Sequence, residues 1–153
     1  KSLKKLVKIA LFNKSTEYAL RAVIYIAKES TIEHKVGLDT IAQAINSPRS
    51  YTSKIMQQLT TGDGHIVSSL RGPGGGFYLT ERDKKRAIID ILRTMGEDQM
   101  LDRCVLGLHV CSDINPCAMH RDYKVIKKQL IQLFQTKTIN DLAGGDLQLS
   151  FLK

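Results

Sequence analysis

His65-Ile-Val-Ser-Ser-Leu-Arg71-Gly-Pro-Gly-Gly-Gly76-Phe-Tyr-Leu79 is the stretch whose reading decides the fold. His65–Arg71 reads as a strand and Phe77–Leu79 as its return, with Gly72-Pro73-Gly74-Gly75-Gly76 as the turn between them. Just upstream, Gly37 opens a short helix from Leu38 to about Ile45, with Ile41, Ala42 and Ile45 on one face. Asn46 can end it in a left-handed turn, and Ser47-Pro48 starts a second helix with a cap followed by proline in the first helical position. Two short helices joined by a tight turn make a helix-turn-helix, and a hairpin behind it is a wing.

On a helical wheel the second helix places Tyr51, Ile55, Met56 and Leu59 on one side. Ser50, Ser53 and Gln57, with Arg49 and Lys54 toward the edges, face the other way. Small hydroxyls, an amide and two cations suit either a solvated surface or a helix that reads a DNA groove. Arg71, at the entrance to the glycine turn, can enter a minor groove, and the bare backbone of Gly72, Gly74 and Gly75 can approach phosphates closely. A nucleotide-binding glycine loop fits poorly: no Gly-Lys-Ser/Thr ending is present, and no Gly-x-Gly-x-x-Gly lies between a strand and a helix.

Outward from this head, Ser15 or Thr16 can cap a helix running to about Lys28, with Glu17 in its first turn where a carboxylate suits the helix dipole. Lys84 to Met95 has helical apolar spacing and stops near Gly96, and Glu97–Arg103 is a polar linker. Cys104-Val-Leu-Gly-Leu-His-Val-Cys111-Ser-Asp-Ile-Asn-Pro-Cys117-Ala-Met-His120 follows and contains all three cysteines. Asn115-Pro116 then opens a helix to about Gln135, in which Met119, Tyr123, Ile126, Leu130 and Leu133 recur at coiled-coil spacing. Such a seam can pack on its own domain or form a symmetric dimer, and the dimer is the expectation, since a small winged head reads DNA as a pair of half-sites. Thr138 caps a short last helix around Asp141, and the tail from Gly144 has no clear period. The expected fold is therefore mainly α with a small β-hairpin wing, a winged helix-turn-helix head plus a long dimerisation helix. Its expected parts are a basic N-terminal extension (1–12), the DNA-binding domain (13–96), a cysteine-rich loop (97–117), the dimerisation helix with the short last helix (116–143) and the tail (144–153).

Composition sets bounds on these readings. A chain of 153 residues can bury one good core. Its apolar runs are too short and interrupted to span a bilayer, and no secretory signal is visible, so the expectation is a cytoplasmic protein with no membrane partner. The net charge of +8 is concentrated: Lys1, Lys4, Lys5, Lys8 and Lys14 supply five of the positive charges, while residues 87–153 hold eight of each sign. The pI of 9.5 is thus weak support for a nucleic-acid partner. An odd cysteine count without an export signal argues against a disulfide framework, and thiols clustered inside a cell point to metal or redox chemistry. No serine–histidine–acid order or paired-carboxylate site is evident, so the chain is not read as an enzyme.

Taken together, these pieces resemble the Rrf-two family of bacterial winged-helix regulators, whose members include an iron–sulfur cluster assembly regulator and a nitric-oxide-sensing repressor. The resemblance is carried by Ser15-Thr-Glu-Tyr-Ala-Leu-Arg-Ala22, Ile41-Ala42, Ser50-Tyr51, Lys54-Ile55, Gln58-Leu59, Arg71-Gly-Pro-Gly-Gly-Gly-Phe77 and Cys104-Val-Leu-Gly to Cys117-Ala-Met-His120. It implies a homodimer on a pseudo-palindromic, double-stranded promoter site; a repressor is the expectation, though the residues themselves supply no sign. Arg49, Ser50, Tyr51, Ser53, Lys54 and Gln57 would lie at the major groove, with Arg71, Gly72, Gly74 and Gly75 of the wing at the minor groove and backbone.

It also implies that Cys104, Cys111 and Cys117 ligate an iron–sulfur cluster, with a 2Fe-2S cluster placed ahead of a 4Fe-4S one. Thiolates are the natural ligands of such clusters, and gaps of six and five residues suit a loop wrapped round a cluster better than a zinc knuckle. His120 matches the histidine that completes the site in the assembly regulator. Glu17 is the alternative fourth ligand, because the nitric-oxide sensor uses an acidic residue there from the other subunit. His109 is taken as a bystander. Two alternatives stay open: a cluster-free regulator controlled by thiol redox or a partner protein, and a structural Cys-Cys-Cys-His zinc site.

Overall fold

The computed structural model describes residues 11–62, 64–108 and 111–145. Most of the 1–12 extension, His109 and most of the 144–153 tail lie outside them. Helix α1 (Lys14–Glu29) turns Ala19, Ala22, Val23 and Ile26 into the interior. Its cap is Asn13, whose side chain accepts the amide proton of Thr16 at 2.8 Å, and not Ser15 or Thr16 as the sequence suggested. Asn13 wins because Ser15 bonds to Tyr51 and Thr16 is fully buried.

Helices α2 (Leu38–Ala44) and α3 (Arg49–Thr60) form the helix-turn-helix. Asn46 supplies the turn with φ 54°, the left-handed conformation that asparagine tolerates better than most side chains. Pro48, predicted inside α3, is instead its N-cap residue, and its carbonyl accepts the Thr52 amide at 2.9 Å. Thr52, Ile55, Met56 and Leu59 are the buried stripe of α3.

The wing is shorter than its sequence pattern. Strands β1 (Ser68–Leu70) and β2 (Gly76–Tyr78) pair antiparallel, with Ser69 opposite Phe77. Ile66 and Val67, read as strand, instead direct both their amides to the Leu59 carbonyl, closing the end of α3, while their side chains are fully buried. Val36, just before α2, adds an antiparallel bridge to Phe77 on the other side of β2. Gly76 must be bare, since a Cβ there would lie 2.7 Å from the Val36 carbonyl oxygen.

The predicted helix from Lys84 to Met95 is broken. Helix α4 (Glu81–Lys84), capped by Thr80, and helix α5 (Ile88–Thr94) are separated where Ala87 bridges Thr138. There the Ile88 amide donates to Lys137 and the Ile139 amide to Arg86, so a tertiary pairing replaces helical bonds. Gly96 (φ 73°) ends the region as expected, and a 3-10 helix (Asp98–Leu101) occupies part of the predicted linker.

Helix α6 (His120–Thr136) begins later than Asn115-Pro116 proposed. Residues 115–119 stay irregular, which lets Cys117 and His120 face one cavity. Helix α7 (Ile139–Ala143) starts with a capping box between Thr138 and Asp141 and packs against α1. One continuous core joins Val23, Ile26, Ile41, Ile55, Leu59, Ile91 and Leu92 to Phe134 of α6 and Ile139 of α7.

Candidate functional site

Two surfaces carry chemistry, and the core separates their roles. The first is an open groove of about 480 Å³ in which Ser53, Gln57, Thr60 and Thr61 of α3 face Ser69, Leu70 and Arg71 of the wing. The structure thus brings Ser53 and Gln57, one turn apart on α3, together with Arg71 of the wing. Ser50, Lys54, Gly72 and Gly74 are exposed beside it. At the wing tip the Gly75 amide donates to the Gly72 carbonyl at 2.9 Å, and a Cβ on Gly75 would fall 2.2 Å from the Leu70 carbonyl oxygen. Only glycine permits that turn.

Two of the candidate DNA contacts are placed differently. Arg49 is tied to Asp39 of α2 by a 2.6 Å ion pair between exposed side chains. Tyr51 is half-buried: its ring packs edge-on against Tyr18 of α1 at 5.6 Å and its hydroxyl shares a hydrogen bond with Ser15. Tyr51 therefore fastens α3 to α1.

The second surface is a cavity of about 70 Å³ lined by Cys104, Cys111, Cys117 and His120, with Leu108, Ser112, Asn115 and Pro116 completing it. Cys104 is buried and the other two thiols are partly covered. Gly107 (φ 70°) folds the chain back, its amide reaching the Cys104 carbonyl at 2.9 Å, and the Cys111 amide is held by the Asp102 carbonyl at 3.0 Å. His120 is the first residue of α6 and is itself buried.

Its ring is fixed on both sides. Nδ1 lies 3.2 Å from the Cys111 sulfur, and Nε2 lies 2.8 Å from a carboxylate oxygen of Asp113. Lys124 holds the same carboxylate with contacts of 2.7 and 2.8 Å. Lys124 first, and His120 second, keep the Asp113 carboxyl below the usual carboxylate range. The Cys117 side chain first, with backbone amides of residues 106–108, holds Cys104 below an ordinary thiol, while the Cys104 side chain first and then desolvation push Cys117 up.

The donor set is three sulfurs and an imidazole nitrogen around one small space, which fits an iron–sulfur group better than a hard cation, whose ligands are oxygens. Among the described residues no three or more His, Cys, Asp or Glu side chains already converge on a single metal position. The four groups share a cavity and not a finished coordination sphere. Glu17 does not line it; within this chain its carboxylate pairs with Arg21 at 3.7 Å.

Three residues went unnoticed in the sequence. Asp113 and Lys124 are the first two, although Lys124 is four residues after His120 and hence on its helix face. Glu97 is the third. Its carboxylate accepts the Asn13 amide at 2.8 Å and the Thr16 hydroxyl at 3.2 Å, binding the segment that leads to Cys104 to the first turn of α1.

Comparison with known proteins gives a consistent result. A profile of the Rrf2 family, described as an iron-dependent transcriptional regulator, matches residues 12–145. A putative HTH-type transcriptional regulator of Aquifex aeolicus is 33% identical over 134 residues, covering 86% of this chain and 90% of that protein. The HTH-type transcriptional regulator IscR of Pectobacterium atrosepticum is 25% identical over 128 residues, covering 84% of this chain and 76% of that protein. Among solved structures, CymR (YrzC), the global cysteine regulator of B. subtilis, superposes with a TM-score of 0.68 at 24% identity, over 88% of this chain and 97% of CymR. T. potens IscR superposes with a TM-score of 0.64 at 18% identity, over 93% of this chain and 96% of its own. These two structures support the winged-helix fold. No helix among the described residues is long and apolar enough to cross a membrane.

Proposed function

The chain belongs to the Rrf2 family of transcriptional regulators, and on that premise we propose that it is a cytoplasmic, cluster-controlled repressor that binds promoter DNA as a homodimer. The observation that carries this reading is the convergence of Cys104, Cys111, Cys117 and His120 on one cavity at the start of α6. A 2Fe-2S cluster held there would supply a redox- and nitric-oxide-sensitive centre. Ligation by one nitrogen leaves such a centre more open to attack than four thiolates would. The polar face of α3 and Arg71 would read a pseudo-palindromic site, α3 in the major groove and the wing in the minor groove.

Dimerisation is supported by the seam. Met119 at the N-cap of α6 and Ile126 and Leu133 within it are 46%, 55% and 47% exposed, whereas Phe134 and His120 of the same helix face inward. A row of large apolar groups left in water on a 17-residue helix gains most by meeting its copy. A route from cavity to groove is also present: Glu97 grips Asn13 and Thr16, and Ser15 and Tyr18 of α1 grip Tyr51 of α3. A change in the cysteine segment can thus reach α3, and a difference in DNA affinity between cluster states is what would make it a switch.

The test is the anaerobic absorption spectrum with iron and acid-labile sulfide counted per chain, followed by operator affinity with and without the group. Brown protein with matched iron and sulfide, and a changed affinity, is the expected result. Colourless protein that stays apo after reconstitution would overturn the cluster. The second reading, a thiol-controlled regulator, is favoured by one observation, the shared cavity that Cys104 and Cys117 line, and predicts instead that oxidation of this pair changes DNA affinity with no iron present. One zinc per chain in colourless protein would identify a structural zinc site.

A further inference from the structure

We propose that Asp113, held by Lys124, is a positioning residue that presents His120 to the cluster through Nδ1; the inference rests on the cluster reading above. A carboxylate oxygen accepts hydrogen bonds, so the 2.8 Å contact places a proton on Nε2, and a His120 that ligates must do so through its other nitrogen. The lone pair is then on Nδ1 alone, and Nδ1 is the nitrogen 3.2 Å from the Cys111 sulfur, on the side of the thiols. Ring orientation and tautomer are chosen together by one oxygen atom.

The rest of the arrangement keeps that oxygen in place. Asp113 lies in the loop between Cys111 and Cys117, so its contacts to His120 and Lys124 tie the loop to the first two turns of α6. Lys124 is one turn beyond His120 on the same face, and its ammonium spans both carboxylate oxygens at 2.7 and 2.8 Å. A solvated Lys124–Asp113 pair by itself would do little. What distinguishes this one is its third member, an imidazole only 9% exposed that would otherwise be free to adopt either tautomer. A carboxylate behind a ligating histidine also raises the basicity of the ligating nitrogen.

The experiment compares the full-length wild-type chain with Asp113→Ala, Asp113→Asn and Lys124→Ala. In the apo protein, histidine ¹⁵N NMR should show His120 as the Nε2–H tautomer in wild type and as a mixture in Asp113→Ala. After reconstitution, release of iron to a chelator under anaerobic conditions should be about 10- to 100-fold faster in Asp113→Ala, the range typical of lost outer-shell partners. Asp113→Asn retains an accepting oxygen and should recover most of the lifetime, and Lys124→Ala should fall between. In the reduced cluster, pulsed EPR with histidine labelled at one nitrogen should give the strong coupling from Nδ1.

Strong coupling from Nε2, or release from Asp113→Ala at the wild-type rate, would overturn the inference while leaving the cluster intact. A wild-type chain that takes up no cluster would overturn the functional reading and this inference with it. Asp113 is exposed, so folding is expected to survive its replacement; should Asp113→Ala fail to fold, the NMR and EPR assignments of the wild-type chain still decide which nitrogen faces the thiols.

Discussion

The reading head and the cysteine loop are held by opposite means. In the head, Val23, Ile26, Ile41, Ile55, Leu59, Ile91 and Leu92 are at most 1% exposed, and nearly every element contributes to the same core. In the loop, Leu108 and Ile114 are 64% and 88% exposed, and order comes from a few polar contacts: Cys111 to Asp102, Cys111 to His120, and Asp113 to both His120 and Lys124. The head needs no ligand to have a shape, because these core side chains are already buried. The loop has few buried apolar groups, so its conformation is open to whatever occupies the cavity. That is the division the proposed switch would use, a head with a fixed shape and a segment that responds.

The comparison is broken most forcefully in the core. Ile91→Ala should destabilise the apo protein by about 2–5 kcal/mol, measured as a lowered urea midpoint. Cys111→Ala, its counterpart in the loop, should leave that midpoint nearly unchanged while abolishing the iron–sulfur absorption. Equal destabilisation by the two would remove the distinction between the regions.

Next in size is the groove. Arg71→Ala should weaken operator binding by about 1–3 kcal/mol in a mobility-shift titration at fixed salt, with the fold intact, since Arg71 is exposed and holds no structural contact among the described residues. Gln57→Ala should alter base preference more than overall affinity. Unchanged affinity in Arg71→Ala would place the DNA elsewhere.

A smaller effect sharpens the link between regions. Glu97→Ala removes the acceptor for Asn13 and Thr16 and should narrow the gap in operator affinity between cluster-loaded and apo protein by about 1 kcal/mol, roughly the worth of a lost hydrogen bond. If the gap stays at the wild-type value, the route from loop to α3 does not run through this carboxylate.

The least effect is expected at Asp141, which closes the capping box of α7 and whose carboxyl is held below its ordinary value by the Thr138 amide first and the Thr138 hydroxyl second. A depressed folded-state pKa stabilises the protein fully above the unfolded value, about 3.9, and that contribution disappears as pH falls through the lower folded value. Wild type should therefore be more stable than Asp141→Asn at neutral pH, with the two converging below about pH 4 in thermal melts. A constant difference down to the acid limit would assign the effect to something other than the ionised cap.

Much of this was legible in the residues. Asn46, Gly96 and Thr138 mark turns, breaks and caps through local backbone chemistry, and the structure uses each of them where it was expected, whereas Gly76, read as turn, is the first residue of β2. The apolar stripes of α1 and α3 were readable from periodicity for the same reason. The three cysteines and His120 could be singled out as a set, though spacing alone cannot bring them round one cavity.

What the sequence by itself determined is the order and type of the elements, since these follow from interactions within a few residues of the chain. What only the tertiary structure decided came from contacts between distant segments. The Lys84–Met95 pattern splits at Ala87 because Lys137 and Thr138 offer better partners than the next helical turn. Ile66 and Val67 leave the wing because their amides complete α3 at Leu59 and their side chains fill the core. Tyr51, which the resemblance put at the groove, is fastened to α1 because Ser15 and Tyr18 engage its hydroxyl and ring together. Helix α6 waits until His120, and Asp113 meets that histidine, because the loop must close on itself before the helix can begin. Local propensities rank backbone conformations within about 1 kcal/mol of one another, so a long-range hydrogen bond or a buried side chain outweighs them.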